Sequence, residues 1–192
     1  MTVVGLAAVV LALVMFVVLH VVGRAMSPVQ RTMSECALLG PLPRILFGVF
    51  TLSLAVAGVA VLIAHPRRPL LDVCLVVFAL GTAISAFFLT DEIDPTADDF
   101  QLSRSGAIHS WAAMAAFLSL VVAAFALGPV GTRPVWSAIV PFVPLVGTLV
   151  FVATLVARRP LSRVFGVPSV HGIGERIAVL AMLAWLAIAL SG

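Results

Sequence analysis

Six stretches of apolar residues, each about as long as a membrane-spanning helix, occupy most of the chain. An α-helix needs roughly 20 apolar residues to cross the ~30 Å hydrocarbon layer of a bilayer. The chain is 62% hydrophobic and only 10% charged, an apolar excess that one core of this size cannot hide from water. The sequence therefore predicts an all-α, polytopic integral membrane protein, a single domain (1–192) with six transmembrane helices. The predicted helices are 3–23, 42–64, 69–89, 106–127, 135–157 and 174–191.

The placement of arginine predicts how these helices are oriented. All basic residues are Arg, and cytoplasmic loops of membrane proteins carry an excess of such residues. If the loops after the first, third and fifth helices are cytoplasmic, that side holds Arg24, Arg31, Arg44, Arg104, Arg158, Arg159, Arg163 and Arg176, and the other side only Arg67, Arg68 and Arg133. We therefore expect a multi-pass protein of the cell inner membrane with both termini outside. The net charge of +3 is too small and scattered to indicate nucleic-acid binding.

The two cysteines are predicted to be free. Cys36 follows the first helix on the inner side, whereas Cys74 lies in the outer part of the third helix. A disulfide requires Cα atoms within about 7 Å of each other, so opposite sides of a membrane preclude a bridge.

Acidic and imidazole groups concentrate on the predicted inner side. Charges that flank helix ends are solvated at little cost, but a carboxylate at membrane depth costs about 2.5–3.5 kcal/mol. Asp91 lies within one turn of an apolar helix end, and His109 lies one turn inside the next helix. We therefore interpret Asp91 and His109 as paired or catalytic residues. The supporting, substrate-binding candidates are His20, Glu35, Asp94, Glu175 and Arg176.

Three chemistries that use the histidines remain open at this stage. Asp91 and His109 could form an acid–base pair in which the imidazole is a poised proton donor. His20, His109 and His171 with a carboxylate could bind zinc, although no HxxxH or HExxH spacing is present. His20 and His109 could also ligate a b-type haem from two helix ends.

A fourth chemistry uses the acidic pair and arginine. Asp91 and Asp94 form a DxxD motif, and carboxylates of this kind can hold Mg²⁺ against the phosphates of a lipid diphosphate. Arg104 or Arg176 would then bind the phosphate. The motif is short, and no metal ligand set is assigned from it.

Three pieces of the sequence together resemble a known family. They are Ser34-Glu35 with Gly40-Pro41, Phe88-Leu89-Thr90-Asp91 leading to Gly106-Ala-Ile-His109, and Gly174-Glu175-Arg176. This set is similar to the bacterial membrane family called domain of unknown function 998. Its members show a Thr-Asp-Pro-Pro turn before a Gly-x-x-His, whereas here the turn lacks both prolines. The resemblance implies six helices, marks Asp91, His109 and Arg176 as family positions, and implies no activity.

These observations favour an enzyme that acts on a membrane lipid or isoprenoid at the cytoplasmic interface. The predicted reaction is acid–base chemistry such as cyclisation or hydrolysis, with or without a metal. The alternative is a non-catalytic membrane subunit or small transporter, in which the same polar residues pair between helices.

Overall fold

Within the residues that the structure describes, all regular secondary structure is helical. This computed structural model describes residues 2–24, 26–92, 102–128, 138–165 and 170–192, with side chains up to residue 157 in the fourth of these ranges. The helices are α1 (Thr2–Val22), α2 (Met33–Cys36), a 3₁₀ turn (Ala37–Leu39), α3 (Pro41–Ala64), α4 (Pro69–Phe87), α5 (Arg104–Leu127), α6 (Phe142–Phe165) and α7 (His171–Ser191).

The long helices confirm the predicted membrane bundle. Helices α1, α3, α4, α5 and α7 are each long and apolar enough to cross a bilayer, and α6 contributes the shorter apolar stretch Phe142–Ala157. Pro141 lies in a turn immediately before α6, and Pro144 lies in its first turn. A proline there removes no intrahelical hydrogen bond, so both prolines are compatible with a helix that starts at Phe142.

Side-chain size decides how closely neighbouring helices approach. A Cβ at Gly81 of α4 would lie 2.5 Å from the carbonyl oxygen of Ala112 on α5, and one at Gly58 of α3 would lie 2.6 Å from the Phe78 ring on α4. Only glycine therefore fits at these crossings. The small-residue stripe predicted in the third membrane helix, which includes Gly81, is a close helix contact, as is usual in membrane bundles.

The surface of the bundle is apolar as well as its core. Trp185, Phe78 and Leu120 are fully buried, whereas Val3 and Ile45 are 80% and 62% exposed. Large contiguous apolar surfaces are not stable in water. The exposed side chains therefore lie where lipid tails would surround them.

The segment between α1 and α3 folds back into the bundle. Residues 32–37, which include α2, are all buried. The Ile173 N–H of α7 donates to the carbonyl of Val29 at 3.3 Å. The segment therefore lies back between the helices rather than along the surface of the bundle.

Candidate functional site

A carboxylate caps the N-terminus of the buried helix α2. Glu35 is 0% exposed, and its Oε2 accepts hydrogen bonds from the backbone N–H of Thr32 at 2.6 Å and from Thr32 Oγ1 at 3.0 Å. The Thr32 hydroxyl in turn accepts from the Glu35 N–H, which completes a capping box. Glu35 Oε1 pairs with Arg31 Nη1 at 3.0 Å. Glu35 therefore stabilises the conformation of this segment through its bonds to Thr32 and Arg31.

The second turn of α7 supplies a second buried carboxylate. Glu175 is buried, and its Oε2 accepts a hydrogen bond from the Met33 N–H at the start of α2. His171, also fully buried, places its Nε2 4.0 Å from Glu35 Oε2. Glu35 of α2 and Glu175 of α7 thus accept adjacent backbone N–H groups at the N-terminus of α2.

Arg176 connects α7 to α1 and to the loop before α2. Its Nε donates to His20 Nε2 at 2.6 Å, and its Nη1 donates to the carbonyls of Arg31 at 2.7 Å and Gly172 at 2.8 Å. The other His20 nitrogen, Nδ1, lies 2.7 Å from the Phe16 carbonyl. A carbonyl can only accept, so His20 carries its proton on Nδ1 and is neutral while it accepts from Arg176. Four of the predicted supporting residues, from three distant parts of the sequence, therefore meet at one end of the bundle: His20, Glu35, Glu175 and Arg176.

Two glycines allow this convergence. A Cβ at Gly172 would collide with the backbone of Arg31, and a Cβ at Gly174 would collide with the side chain of Thr154 on α6. The Gly-Ile-Gly spacing before Glu175 therefore places one face of α7 on the buried loop and the other on α6.

Asp91 has a structural role at the start of α5. Its Oδ2 accepts from the Ser103 N–H and its Oδ1 from Ser103 Oγ, each at 2.7 Å. Ser103 Oγ also accepts from the Gly106 N–H at 3.0 Å, so Ser103 is the N-cap, as its position predicts. A Cβ at Gly106 would collide with the Asp91 carboxylate. This explains the glycine three residues before His109.

His109 is buried, and its Nδ1 lies 2.9 Å from the carbonyl of Phe88 at the end of α4. Its ring lies 6.0 Å from the ring of Phe47 on α3. Asp91 and His109 therefore bond to separate partners. Asp91 bonds to Ser103 and His109 to the Phe88 carbonyl, and the acid–base pair predicted between Asp91 and His109 stays a prediction.

His109 lies instead between two cavities that it shares with Glu175. The outer cavity, about 130 Å³, lies among α5, α6 and α7, and the inner cavity, about 50 Å³, reaches between α3 and α4. Ser34, Ala113 and Phe117 also line both. The polar residues that line the outer cavity are Thr32, Ser34, Thr90, His109, Ser110, Thr148 and Glu175.

The opposite wall of the outer cavity is apolar and reaches the membrane-facing surface. Met114 on α5 and Val152 on α6 line it and are 42% and 37% exposed. Between them the rings of Phe117 and Phe151 lie 5.5 Å apart. The cavity is therefore polar inside the bundle and apolar where it meets lipid.

The family model "Protein of unknown function (DUF998)" matches residues 6–192. The chain belongs to the DUF998 family. Comparisons with curated proteins and with solved structures found no match. The family predicted from short motifs is thus confirmed over nearly the whole chain.

The contacts of this DUF998 protein bear on the metal and haem alternatives. Both ring nitrogens of His20 already have partners, Phe16 and Arg176, so this side chain is not arranged as a zinc or haem ligand. Within the described ranges, no group of three or more His, Cys, Asp and Glu is placed to hold a metal ion. Asp94, the second half of the DxxD motif, lies outside the described residues.

The cysteines of this DUF998 protein are free and buried, as predicted. Burial raises the pKa of the Cys36 thiol, and its Sγ lies 3.9 Å from the Thr32 carbonyl. A thiol kept protonated is a poor nucleophile. Cys36 therefore fills space beneath α1 rather than providing covalent chemistry.

Two contributors to the DUF998 site were missed in the sequence. Arg31 pairs with Glu35 and, through Nη2, with Glu92 at 2.7 Å. The four-residue spacing of Arg31 and Glu35 is a helical pairing signal that could have indicated this contact. Thr148 lines the outer cavity from the middle of an apolar run, and nothing in its local sequence distinguishes it from a packing residue.

Proposed function

We propose that this DUF998 protein is an enzyme that admits the polar end of a lipid or isoprenoid into the outer cavity and acts on it by acid–base chemistry. One observation carries the proposal: His109 and Glu175 line the polar end of a cavity whose apolar wall reaches the lipid-facing surface. A space of about 130 Å³ accommodates a small head group, since one water needs roughly 10–15 Å³. The chain of the substrate would remain in the bilayer between α5 and α6.

The hydrogen bond of His109 assigns it a role in the proposed reaction. A neutral His109 that donates from Nδ1 to the Phe88 carbonyl carries its lone pair on Nε2. That nitrogen would accept a proton from the substrate, and Glu175, on the same cavity wall, would be the second proton-transferring group. Asp91 would act as a positioning residue, because it anchors the helix turn that carries His109.

A second candidate function is favoured by the Arg176 contacts. Arg176 joins α1, the buried loop and α7 through three hydrogen bonds, which is the arrangement expected if polar residues serve helix packing. A non-catalytic subunit or small transporter would need these bonds for helix packing and would catalyse no reaction.

The proposed location is the inner membrane with the cavity end toward the cytoplasm. It is supported by the excess of arginine in the loops predicted to lie on that side of the membrane, as the positive-inside rule requires. The lipid or isoprenoid would then enter from the cytoplasmic leaflet.

The test places the protein in nanodiscs with a total membrane-lipid extract and follows the lipids by mass spectrometry. Ala113→Phe fills both cavities, whereas Ala115→Phe adds the same ring on the exposed face of α5. We expect wild type and Ala115→Phe to retain and convert one lipid class, and Ala113→Phe to do neither. If Ala113→Phe converts the lipid at the wild-type rate, the cavity is not the site of the reaction.

His109→Gln separates catalysis from binding. We expect the variant to retain the bound lipid and to convert it about 10²–10⁴-fold more slowly, the usual contribution of a general base. His65→Gln, at the other end of the bundle where His65 Nε2 lies 2.9 Å from the Ala189 carbonyl, is the matched control. If wild type binds the lipid and never converts it, the non-catalytic alternative is correct.

A further inference from the structure

The polar wall of the outer cavity is specific enough to name the chemical class of the head group. This inference rests on the function proposed above. The wall has one imidazole, one carboxyl group and five hydroxyl groups, and no arginine among the described residues that line it. The hydroxyl groups are those of Thr32, Ser34, Thr90, Ser110 and Thr148.

One of these hydroxyls has no partner in the part of the chain that the structure describes. Thr148 is 5% exposed, and its Oγ1 makes no hydrogen bond there. By contrast, Thr32 Oγ1 bonds to Glu35 and Thr90 Oγ1 lies 3.4 Å from the Asp91 carbonyl. A buried hydroxyl without a partner costs the full desolvation of its polar atom. Since Thr148 lines the cavity, a bound molecule can supply that partner.

Two arginines of the polar cluster are bound to partners other than a ligand. Arg176 uses Nε and Nη1 on His20, Arg31 and Gly172, and Arg31 pairs with Glu35 and Glu92. Phosphate groups are typically bound by arginine forks or helix N-termini that point at them. Glu175, when ionised, repels an anion.

We propose that the outer cavity binds the uncharged hydroxyl end of a long-chain alcohol, aliphatic or isoprenoid, rather than its phosphate ester. The hydroxyl would donate to or accept from Thr148 Oγ1 and would face His109 and Glu175 across the cavity. The apolar wall of Met114, Phe117 and Val152 would contact the first carbons of the chain. On this proposal, a lipid diphosphate of the kind considered with the DxxD motif would bind more weakly than the alcohol.

The test uses three probes with the same chain: hexadecanol, hexadecyl phosphate and hexadecylamine, each carrying a photoreactive diazirine near the head. The purified full-length protein in nanodiscs is labelled with each probe over a concentration series, and the labelled peptides are mapped by mass spectrometry. We expect half-saturation by the alcohol at least tenfold below that of the phosphate or the amine. The label should fall on α5 and α6 around Met114 and Val152.

Thr148→Val tests the hydroxyl contact without changing the shape of the side chain. Binding of the alcohol should weaken about two- to tenfold, the usual value of one neutral hydrogen bond. Without bound lipid, Thr148→Val should have a melting temperature at or above that of the wild type, because the substitution removes a buried hydroxyl that has no partner among the described residues. Thr154→Val is the control, since the Thr154 hydroxyl bonds to the Phe151 carbonyl at 2.9 Å and does not line the cavity.

The outcomes separate this inference from the proposed function. Equal or tighter binding of the phosphate or the amine, blocked by Ala113→Phe, would overturn the alcohol assignment and leave the cavity as the lipid site. An unchanged alcohol affinity in Thr148→Val would overturn the Thr148 contact and with it the argument for a hydroxyl. Labelling that is insensitive to Ala113→Phe for all three probes would overturn both proposals.

Discussion

At the scale of single residues, the buried charges of this DUF998 protein are satisfied by backbone groups as much as by each other. Glu35 and Glu175 accept backbone N–H groups of the α2 segment, and Arg176 donates to two carbonyls. Hydrogen bonds to an ionised group are stronger than neutral ones, and a buried charge without them is costly. The polar cluster therefore fixes a re-entrant loop against the helices while His109 faces a cavity.

Asp91→Asn tests the anchoring role assigned to Asp91. The amide loses one acceptor oxygen and the negative charge at the N-terminus of α5, so we expect a loss of about 1–2 kcal/mol in stability. The measurement is the thermal unfolding midpoint in detergent. Glu92→Gln, on an exposed neighbour, should change it little.

The sequence interpretation gave Asp91 a proton-transferring role, which makes a different prediction for the same variant. A catalytic Asp91 would lose turnover at unchanged melting temperature. That result would show that the main role of Asp91 is catalytic and not the anchoring of Ser103.

At the scale of elements, α7 contacts α1, α2, α3 and α6. Its first turns carry His171, Glu175 and Arg176, and Gly172 and Gly174 let it touch the buried loop and α6. A helix start that lies this close to a loop backbone has no room for a side chain at the point of contact. The site thus depends on a glycine as much as on its charged residues.

Gly172→Ala should separate α7 from the buried loop. The new methyl group would collide with the Arg31 backbone, and overpacking of this kind costs about 1–3 kcal/mol. We expect a lower melting temperature and faster alkylation of Cys36 as the loop loosens. Gly48→Ala is the matched control, because a Cβ there has its nearest contact at 3.8 Å; equal effects of both variants would refute the specific contact.

At the scale of the whole molecule, the two ends of the chain lie at the same end of the bundle. A Cβ at Gly5 of α1 would lie 2.7 Å from Ala60 and 2.8 Å from Leu190 of α7. The polar site occupies the other end, where α1 ends and α7 begins. The termini and the site therefore lie at opposite ends of the bundle.

Reporter fusions test the proposed orientation. Alkaline phosphatase, which is active only outside the cytoplasm, should be active at both termini. A fluorescent protein that requires the cytoplasm should fluoresce when inserted after Arg24, and a matched insertion at Pro66 should be dark. Active phosphatase after Arg24 would reverse the orientation and place the cavity outside.

The sequence by itself determined the fold class and the family. Apolar runs of spanning length leave a chain no stable state except a helical membrane bundle, and the helices α1, α3, α4, α5 and α7 follow the predicted runs within a few residues. It also indicated which end is polar, because charged residues cannot lie in the hydrocarbon layer at low cost. His20, Glu35, Glu175 and Arg176 were found in this way.

The tertiary structure alone decided which of these groups face each other. The turn before α5 hydrogen-bonds Asp91 to Ser103, whereas His109 and Glu175 line the same cavity. Thr148 gave no signal because its proposed role depends on a hydroxyl that has no partner among the described residues and lies beside a cavity. Spacing along a chain fixes helix faces, but hydrogen-bond partners and cavities depend on how several helices pack, and that information is not local.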